Sequence, residues 1–441
     1  FAAGGGKEMK RQAGLAVVLC MCFWILCACS MEDGRSDLRA WSTLTPAMTA
    51  EEGEPYKPIA AERAQDDKGV LHCGVSYTLY KDGELLLENG KLTEPLLEIP
   101  TFKNTNITRI TFGIGLTEIG QEACKGMEKL QKVSFGQEVT AIGKQAFLDC
   151  SALMEIHFSS ALQYVGERAF AGCTALRSLE WPEGTNASIG ASAFSGCTGL
   201  MNLVVSENNV LSFGANVFSD CTGLSEMRFP ENGNISFGTS AFFGCTSLGH
   251  IKLTKAVTGL GDTCFQNCTG LSTIEIGEGL QSMGQWLFNN CSNLKKVTFA
   301  CNSISSEALS ECTSLTSLEF RAGVLTIGEM AFFGCENLTE VVLPDGLTDI
   351  GKNAFKNCRS MNSITIPESV THIGYGFLEG CESCTKGVYF RGTKKQWSNI
   401  KTENSKGNSK NQHLYTVQNN QVQYHFAYGQ LRFYVTTNYQ N

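Results

Sequence analysis

The chain has 441 residues, with 46 glycines, 9 prolines and 20 cysteines, and its formal net charge is −8 at pH 7. Its 42% apolar and 18% charged residues exclude an intrinsically disordered chain and a membrane protein with many spans. The acidic balance argues against a general nucleic-acid-binding protein, because contacts with phosphates need a basic surface. Length alone would suggest two or three domains of roughly 150 residues each.

The N-terminal segment is typical of an export signal. Met9 is the expected start, and Met9-Lys10-Arg11-Gln12 forms a basic region before the uncharged stretch from Ala13 to Ala28. That stretch is shorter than the roughly 20 residues that a membrane-spanning helix needs. It ends in Leu26-Cys27-Ala28-Cys29-Ser30, which resembles the lipobox of bacterial lipoproteins. The resemblance implies a signal peptide at residues 1–28 and lipidation of Cys29, while an uncleaved N-terminal anchor is the alternative.

Residues 29–66 contain several glutamates and prolines and few aliphatic residues. This composition predicts a flexible tether between the lipidated cysteine and the folded part of the chain.

Beyond the tether, one block recurs: Ile-Gly-x-x-Ala-Phe-x-x-Cys-x-x-Leu-x-x-Ile-x-Phe. The copy from Ile142 to Phe158 is clear. The cysteine position recurs at steps of 21 to 24 residues, and a nearly fixed period indicates a solenoid of stacked units. Its twelve occurrences are Met127, Cys150, Cys173, Cys197, Cys221, Cys245, Cys268, Cys291, Cys312, Cys335, Cys358 and Cys381.

Each part of the block predicts a local structure. Leu-x-x-Ile-x-Phe alternates as a strand with one buried face does. Ala146, Phe147 and Cys150 lie at i, i+1 and i+4, on one face of a short helical turn. Gly143 suits a tight corner. The expected fold is therefore an α/β solenoid of about 12 coils of roughly 23 residues, with a parallel sheet on one face and short helical turns on the other.

The pattern resembles the leucine-rich repeats of BspA-like bacterial surface proteins. A hairpin that turns at Asp82-Gly83 resembles the family's N-terminal cap, and the segment from Val388 to Trp397 resembles its closing segment. The resemblance implies β-rich caps at both ends, with an N-terminal cap at 67–106, the solenoid at 107–386 and a C-terminal cap at 387–441. The tail from Trp397 is either a cap alone or a small binding element.

One coil departs from the period. Its step is 21 residues, and Ile304-Ser305 replaces Ile-Gly. We expect a local kink near Cys301 to Cys312.

Eleven cysteines of the ladder, from Cys150 to Cys381, could form metal sites, disulfides or a stack of buried thiols. Neighbours in a stack point the same way and lie about one strand spacing apart, too far for a disulfide. Zinc sites need clustered pairs, and Cys381-x-x-Cys384 has no second pair. We therefore expect buried thiols, with no metal and no cofactor. The phenylalanines of the Ala-Phe positions are expected in the core.

No constellation in the sequence supports catalysis, because the six histidines are scattered and lie outside nucleophile motifs. We therefore expect that the protein is not an enzyme. The alternative is an enzyme with its active site in the tail from Trp397.

Strand alternation predicts a candidate binding face. Its outward residues are polar, mixed in charge and free of aromatics, which favours protein partners over sugars, while a merely solvated sheet is the alternative. The candidate residues are Glu155, His157, Glu180, Asn202, Glu226, Arg228, His250, Lys252, Glu275, Lys296, Glu319 and Glu340. The same alternation places Thr298 outward, toward solvent.

The resemblance implies adhesion or binding to an extracellular or host protein at the bacterial outer membrane or cell surface. Membrane contact is expected through the lipid anchor only, and no nucleic-acid partner is expected. The alternative is a glycan-binding or scaffold subunit of a surface uptake complex.

Overall fold

In a computed structural model, the chain divides into two units, residues 1–63 and 64–441. The structure describes residues 65–321, 323–384 and 387–403, and the backbone of four later strands, Ser409–Lys410, Tyr415–Gln418, Gln421–His425 and Gln430–Val435. The expected signal peptide, the lipidation site Cys29 and nearly all of the tether lie outside the described residues.

The second unit is a β-solenoid of about thirteen turns, which confirms the predicted repeat fold. The Leu-x-x-Ile-x-Phe segments form parallel strands whose outward and inward residues alternate, and we call this array the first sheet. Its ladder of hydrogen bonds is interrupted after His157, Arg228 and Phe320. Its thirteen strands are Arg109–Phe112, Lys132–Phe135, Glu155–His157, Ser178–Trp181, Asn202–Val205, Glu226–Arg228, His250–Leu253, Thr273–Ile276, Lys296–Phe299, Ser317–Phe320, Glu340–Val342, Ser363–Ile366 and Gly387–Phe390.

A second parallel sheet, which the sequence analysis did not predict, precedes the Ile-Gly corner. Many of its strands are only two residues long, although they lengthen to five residues where the repeat is 24 residues long. Its strands are Gly90–Leu92, Leu116–Ile119, Ala141–Ile142, Tyr164–Val165, Asn186–Ile189, Asn209–Phe213, Gly233–Phe237, Val257–Leu260, Ser282–Met283, Ser303–Ile304, Thr326–Ile327, Asp349–Ile350, His372–Ile373 and Lys401–Glu403.

The predicted helical turns are slight. In the described repeats, the Ala-Phe segment forms no α-helix; instead alternate peptide N–H groups close turns to the residue three positions back, as from Ala146 to Gly143 and from Cys150 to Phe147. The intervening N–H groups bridge to the next coil. We call this third side of each coil the turn face.

Three backbone hydrogen bonds join each pair of successive coils across the turn face. In one coil, Gln145, Phe147 and Asp149 donate to carbonyl oxygens of the next coil at 2.7–2.9 Å. Equivalent bonds recur at eleven successive interfaces. The first and third donors of each set have positive φ, as at Gln145 (55°) and Asp149 (59°). That conformation favours Gly, Asn and Asp, which explains why one of these precedes nearly every ladder cysteine.

The ladder glycines are required for close approach between coils. Gly143 and its equivalents do not have positive φ. A Cβ on Gly143 would instead lie 2.5 Å from the carbonyl carbon of Gly120, and one on Gly284 would lie 2.2 Å from that of Gly261. The corner predicted from the sequence is present, but the glycine there makes room for the neighbouring backbone.

The core is continuous through the coils. The phenylalanines of the Ala-Phe positions are buried, as predicted. Seven rings from Phe147 to Phe288 stack with centroids 4.9–5.5 Å apart, and a further pair, Phe332 and Phe355, stacks at 4.9 Å. Leu309 separates the two stacks, so the short coil divides this aromatic column.

The ends of the solenoid carry different elements. At the N-terminal end, Gln65–Val70, Ser76–Tyr80 and Glu84–Glu88 pair antiparallel, and the predicted turn at Asp82-Gly83 is present. A 3-10 helix, Leu96–Glu98, and a short α-helix, Pro100–Lys103, follow.

At the C-terminal end, the helix Lys394–Ser398 begins with a capping box between Thr393 and Gln396. Strand Gln430–Val435 pairs parallel with Gly387–Phe390, and the preceding tail strands pair antiparallel, as does Ser409–Lys410 with Lys401–Glu403.

The shortened coil interrupts only one sheet. The second sheet breaks between Ser282–Met283 and Ser303–Ile304, whereas the first sheet stays hydrogen-bonded from Lys296–Phe299 to Ser317–Phe320. The two missing residues are therefore lost on the side of the second sheet, and the kink expected near Cys301 to Cys312 stays a prediction.

We predict that Gly166→Ala lowers stability markedly, because its Cβ would lie 2.4 Å from the Lys144 nitrogen and 2.5 Å from the Gly143 carbonyl carbon. Overpacking of this kind costs about 1–3 kcal/mol. The urea midpoint, followed by circular dichroism, measures the effect.

Gly249→Ala is the matched control, since a Cβ there meets no atom within 4 Å and its φ is not positive. Equal midpoints for the two variants would contradict the role of the ladder glycines.

Candidate binding face

The outer surface of the first sheet carries the twelve candidate residues in two rows that cross the strands. In register, Lys132 pairs with Glu155, Asn202 with Glu226, and His250 with Thr273. All twelve candidate side chains are exposed or half-buried on this side, so the predicted phase of the strands is correct.

Charges on the face pair both across and along strands. The Lys132 ammonium lies 2.8 Å from a Glu155 carboxylate oxygen, and His157 lies 3.5 Å from the same oxygen. The hydrogen bond from Lys132 lowers the pKa of Glu155. Arg228 contacts Glu226 at 2.7 Å along its own strand. These exposed pairs are worth little in stability, but they fix a pattern of alternating charge.

The remaining candidates extend this pattern along the solenoid. Lys252 pairs with Glu231 outside the sheet at 3.8 Å, and the His250 ring nitrogen Nδ1 lies 2.6 Å from the Thr273 hydroxyl. Glu180 and Glu340 are exposed on their strands.

A second charged group covers one residue that the alternation predicted to be exposed. Arg321 contacts both Glu275 and Glu319 at 3.8 Å, and Lys296 contacts Glu319 at 2.9 Å and lowers the pKa of that carboxyl. Thr298 lies in register between the two glutamates. The expectation that Thr298 faces solvent is therefore wrong: it is 3% exposed because the Arg321 pairs span it.

Apolar side chains beside the face were missed as candidates. Val342 lies on an outward strand position and is 63% exposed. Met154 and Met201 directly precede two of the strands and are also exposed. Their sequence signal is an apolar residue at a position where other coils have polar ones. Methionine adapts to many partner shapes, which suits a binding surface.

The eleven ladder cysteines lie inside the coils, as predicted, and each carries a free thiol. Each Sγ lies 3.1–3.4 Å from the carbonyl oxygen at the phenylalanine position of the preceding coil, as from Cys173 to Phe147. The thiol is a weak donor, so each cysteine both fills space and joins two coils.

Burial favours the protonated form of several of these thiols. Desolvation raises the pKa of Cys150, Cys268 and Cys312 to about 12. It also raises the pKa of Cys384, the second cysteine of the Cys381-x-x-Cys384 motif, to about 11. Because the thiolate is the nucleophile and the metal ligand, these four thiols are poorly suited to either role at neutral pH. Within the described residues, no group of three or more His, Cys, Asp or Glu side chains is arranged to hold a metal ion.

The repeat geometry agrees with a known family. The model of the family described as BspA type leucine rich repeat region (6 copies) matches residues 97–225, 211–321 and 302–396. The chain belongs to this family. BspA-type repeats form scaffolds that are typically non-enzymatic and generally bind other proteins.

Several solved structures are similar to the chain. A leucine-rich repeat protein from Bacteroides ovatus is 26% identical, with 75% of this chain and 95% of that one covered and a TM-score of 0.49. A leucine rich cell surface protein from Faecalibacterium prausnitzii is 22% identical, covering 76% and 97%, with a TM-score of 0.38. The pneumococcal vaccine antigen PcpA is 15% identical, covering 85% and 95%, with a TM-score of 0.35. The chain matches no curated protein.

Among the described residues, none of the helices has the length and apolar character needed to span a bilayer.

We predict that the BspA-type solenoid loses stability as pH rises above about 8.5. There the unfolded chain releases thiol protons, whereas the folded chain keeps them up to about pH 12 at Cys150, Cys268 and Cys312. Between about pH 8.5 and pH 12, each of these thiols lowers the folding equilibrium constant about tenfold per pH unit. Below about pH 8.5 they do not change it. Urea midpoints from pH 7 to 11 under reducing conditions measure the slope.

A triple variant that replaces these three cysteines with alanine should show a shallower alkaline decline. Leu153→Ala, which opens a buried cavity without removing an ionisable group, should lower every midpoint but leave the slope unchanged. An identical slope in the triple variant would contradict the assignment.

Proposed function

We propose that the protein is exported, anchored to the bacterial outer membrane or cell surface through a lipid on Cys29, and displays the first sheet for adhesion to an extracellular or host protein. The lipobox at Leu26-Cys27-Ala28-Cys29 and the family membership support this proposal.

The arrangement of charge on the first sheet carries the binding part of the proposal. Rows of paired lysines, arginines and glutamates run across the strands beside exposed Val342, Met154 and Met201. Charges of both signs steer encounter and select partners with the complementary pattern, and adaptable apolar side chains supply contact area. The described backbone holds these groups in a regular array.

A protein partner fits this face better than a glycan. From Arg109 to Thr365, the outward positions of the first-sheet strands hold no aromatic side chain on which a sugar ring could stack. Glycan binding, or a scaffold role in a surface uptake complex, is the alternative function for the protein as a whole.

We predict that cells expressing the chain incorporate labelled palmitate into it and that Cys29→Ala abolishes the label. The reason is that the lipid is carried by the thiol and amine of this one residue. Gel fluorography after labelling with a palmitate analogue is the measurement.

Cys27→Ala is the matched control because it removes a neighbouring thiol and leaves Cys29 and Ala28 in place. Label that persists in Cys29→Ala would rule out lipidation at this site.

We predict that Arg228→Glu weakens binding of an extracellular matrix protein by about three- to tenfold and reduces its salt dependence, since it removes an exposed charge from the face. Purified chain is tested by surface plasmon resonance against immobilised fibronectin, laminin and collagen, with soluble glycans in parallel.

Arg168→Glu makes the same charge change on the turn face. Glu122 and Glu307 occupy the equivalent position with the same φ, so this control should fold normally and bind as the parent does. Saturable binding of glycans alone, or equal loss in both variants, would refute the proposed face.

A further inference from the structure

Trp286, like Tyr164 on the second sheet, is exposed, whereas most aromatic residues of the described repeats are buried in the core. It lies two residues after the ladder glycine Gly284, on the turn face, and its side chain is 37% exposed. Equivalent positions in neighbouring coils hold Thr263 and Glu307. Nothing in the packing of the repeat calls for an indole here.

The backbone at Trp286 accommodates this side chain at a cost. Its φ is 52°, a conformation that bulky residues rarely adopt. Its N–H bridges to the Ser306 carbonyl oxygen at 3.2 Å, whereas the same bond in the other coils measures 2.8–3.0 Å. The first donor of every described turn face has a positive φ, so what is particular to this coil is the bulky side chain carried there.

The orientation of the indole ring is fixed. The Nε1–H group donates to a carboxylate oxygen of Glu307 at 2.6 Å, a charge-assisted bond to the next coil. One edge of the ring is thus held while the ring remains accessible to solvent.

The surroundings of Trp286 are polar. Gln285 and Asp262 are exposed, and the Asp262 carboxylate accepts the Gln285 backbone N–H at 2.8 Å. Asn289, whose N–H closes the turn onto the Trp286 carbonyl oxygen, receives a side-chain hydrogen bond from Gln266 at 2.8 Å. Amide and carboxylate side chains that are themselves hydrogen-bonded therefore lie in the coil of Trp286 and in the coil before it.

The same coil also carries the break in the repeat. Beside Trp286, the second sheet is interrupted after Met283, and Ser305 replaces the next ladder glycine in the coil that is two residues short. In a chain of near-identical coils, local departures that serve no packing purpose are expected at functional positions.

We propose that Trp286 is the stacking platform of a carbohydrate-binding site for neutral pyranose sugars. The negative face of the indole attracts the polarised C–H groups on the apolar face of a pyranose ring. Gln285 can donate and accept hydrogen bonds with sugar hydroxyls, and Asp262 and Glu307 can accept them. The two carboxylates and the net charge of −8 disfavour acidic sugars.

A protein partner is less suited to this position. Hot-spot tryptophans of protein interfaces lie in well-packed, fully desolvated pockets, whereas Gln285, next to Trp286 in the chain, and Asp262, which accepts the Gln285 N–H, are polar and exposed. The site lies on the turn face, separate from the first sheet, so it is independent of the proposed adhesion function.

The test is affinity electrophoresis of the purified full chain through native gels that contain dextran, yeast mannan, galactan or xylan. We expect retardation by at least one polysaccharide, and at least a tenfold higher apparent Kd for Trp286→Ser. This variant should fold, because Ser192 and Ser240 occupy the same position with the same positive φ. Met330→Ser, at the same position two coils further on, is the matched control and should bind as the parent does.

Fluorine NMR of 5-fluorotryptophan-labelled chain adds a direct readout. The resonance that Trp286→Ser removes should shift when the retarding polysaccharide is added. The proposal is overturned if no polysaccharide retards the chain, if Trp286→Ser and the parent are retarded equally, or if both serine variants lose binding alike. A protein ligand whose binding requires Trp286 while no polysaccharide binds would also overturn it.

Discussion

The approach of one glycine peptide to the next sets the spacing on which the rest of the solenoid depends. Gly143 lies so close to Gly120 that a methyl group on Gly143 would clash with the Gly120 carbonyl carbon. At this spacing, three N–H groups of each turn face reach the next coil, and the buried phenylalanine rings stack at about 5 Å. A wider spacing would break these bonds and open voids between the rings at the same time.

The cysteines complete the joint between coils. The carbonyl oxygen of Phe147 accepts the amide of Cys150 in its own coil and the thiol of Cys173 in the next one. A carbonyl oxygen has two lone pairs, so both bonds are accommodated. Alanine would leave a small void and no donor, and valine would add a branch in a packed layer. A small apolar side chain with a weak donor is what this position needs, which accounts for the recurrence of cysteine at the ladder position.

The sequence predicted the first sheet well because its strands are three or four residues long and alternate in polarity. It missed the second sheet because strands such as Ala141–Ile142 are too short to show alternation. The spacing of Ala146, Phe147 and Cys150 is the same in a helix and in the observed turn; the discriminating signal was Asp149, whose residue type tolerates positive φ. On the candidate face, alternation placed Thr298 outward, but no periodicity could show that Arg321 bridges two glutamates across it.

The turn face also gives the repeat array an electrical direction. Every bridging N–H group described there points from one coil toward the next coil along the chain. Peptide dipoles nearly cancel within the two sheets, whereas those of the turn face add, as they do in an α-helix. The N–H groups, and with them the positive end, face the C-terminal side of the stack. The two ends of the solenoid are therefore electrostatically unlike, and acidic groups are favoured at the C-terminal end and basic groups at the N-terminal end, within reach of the last coils.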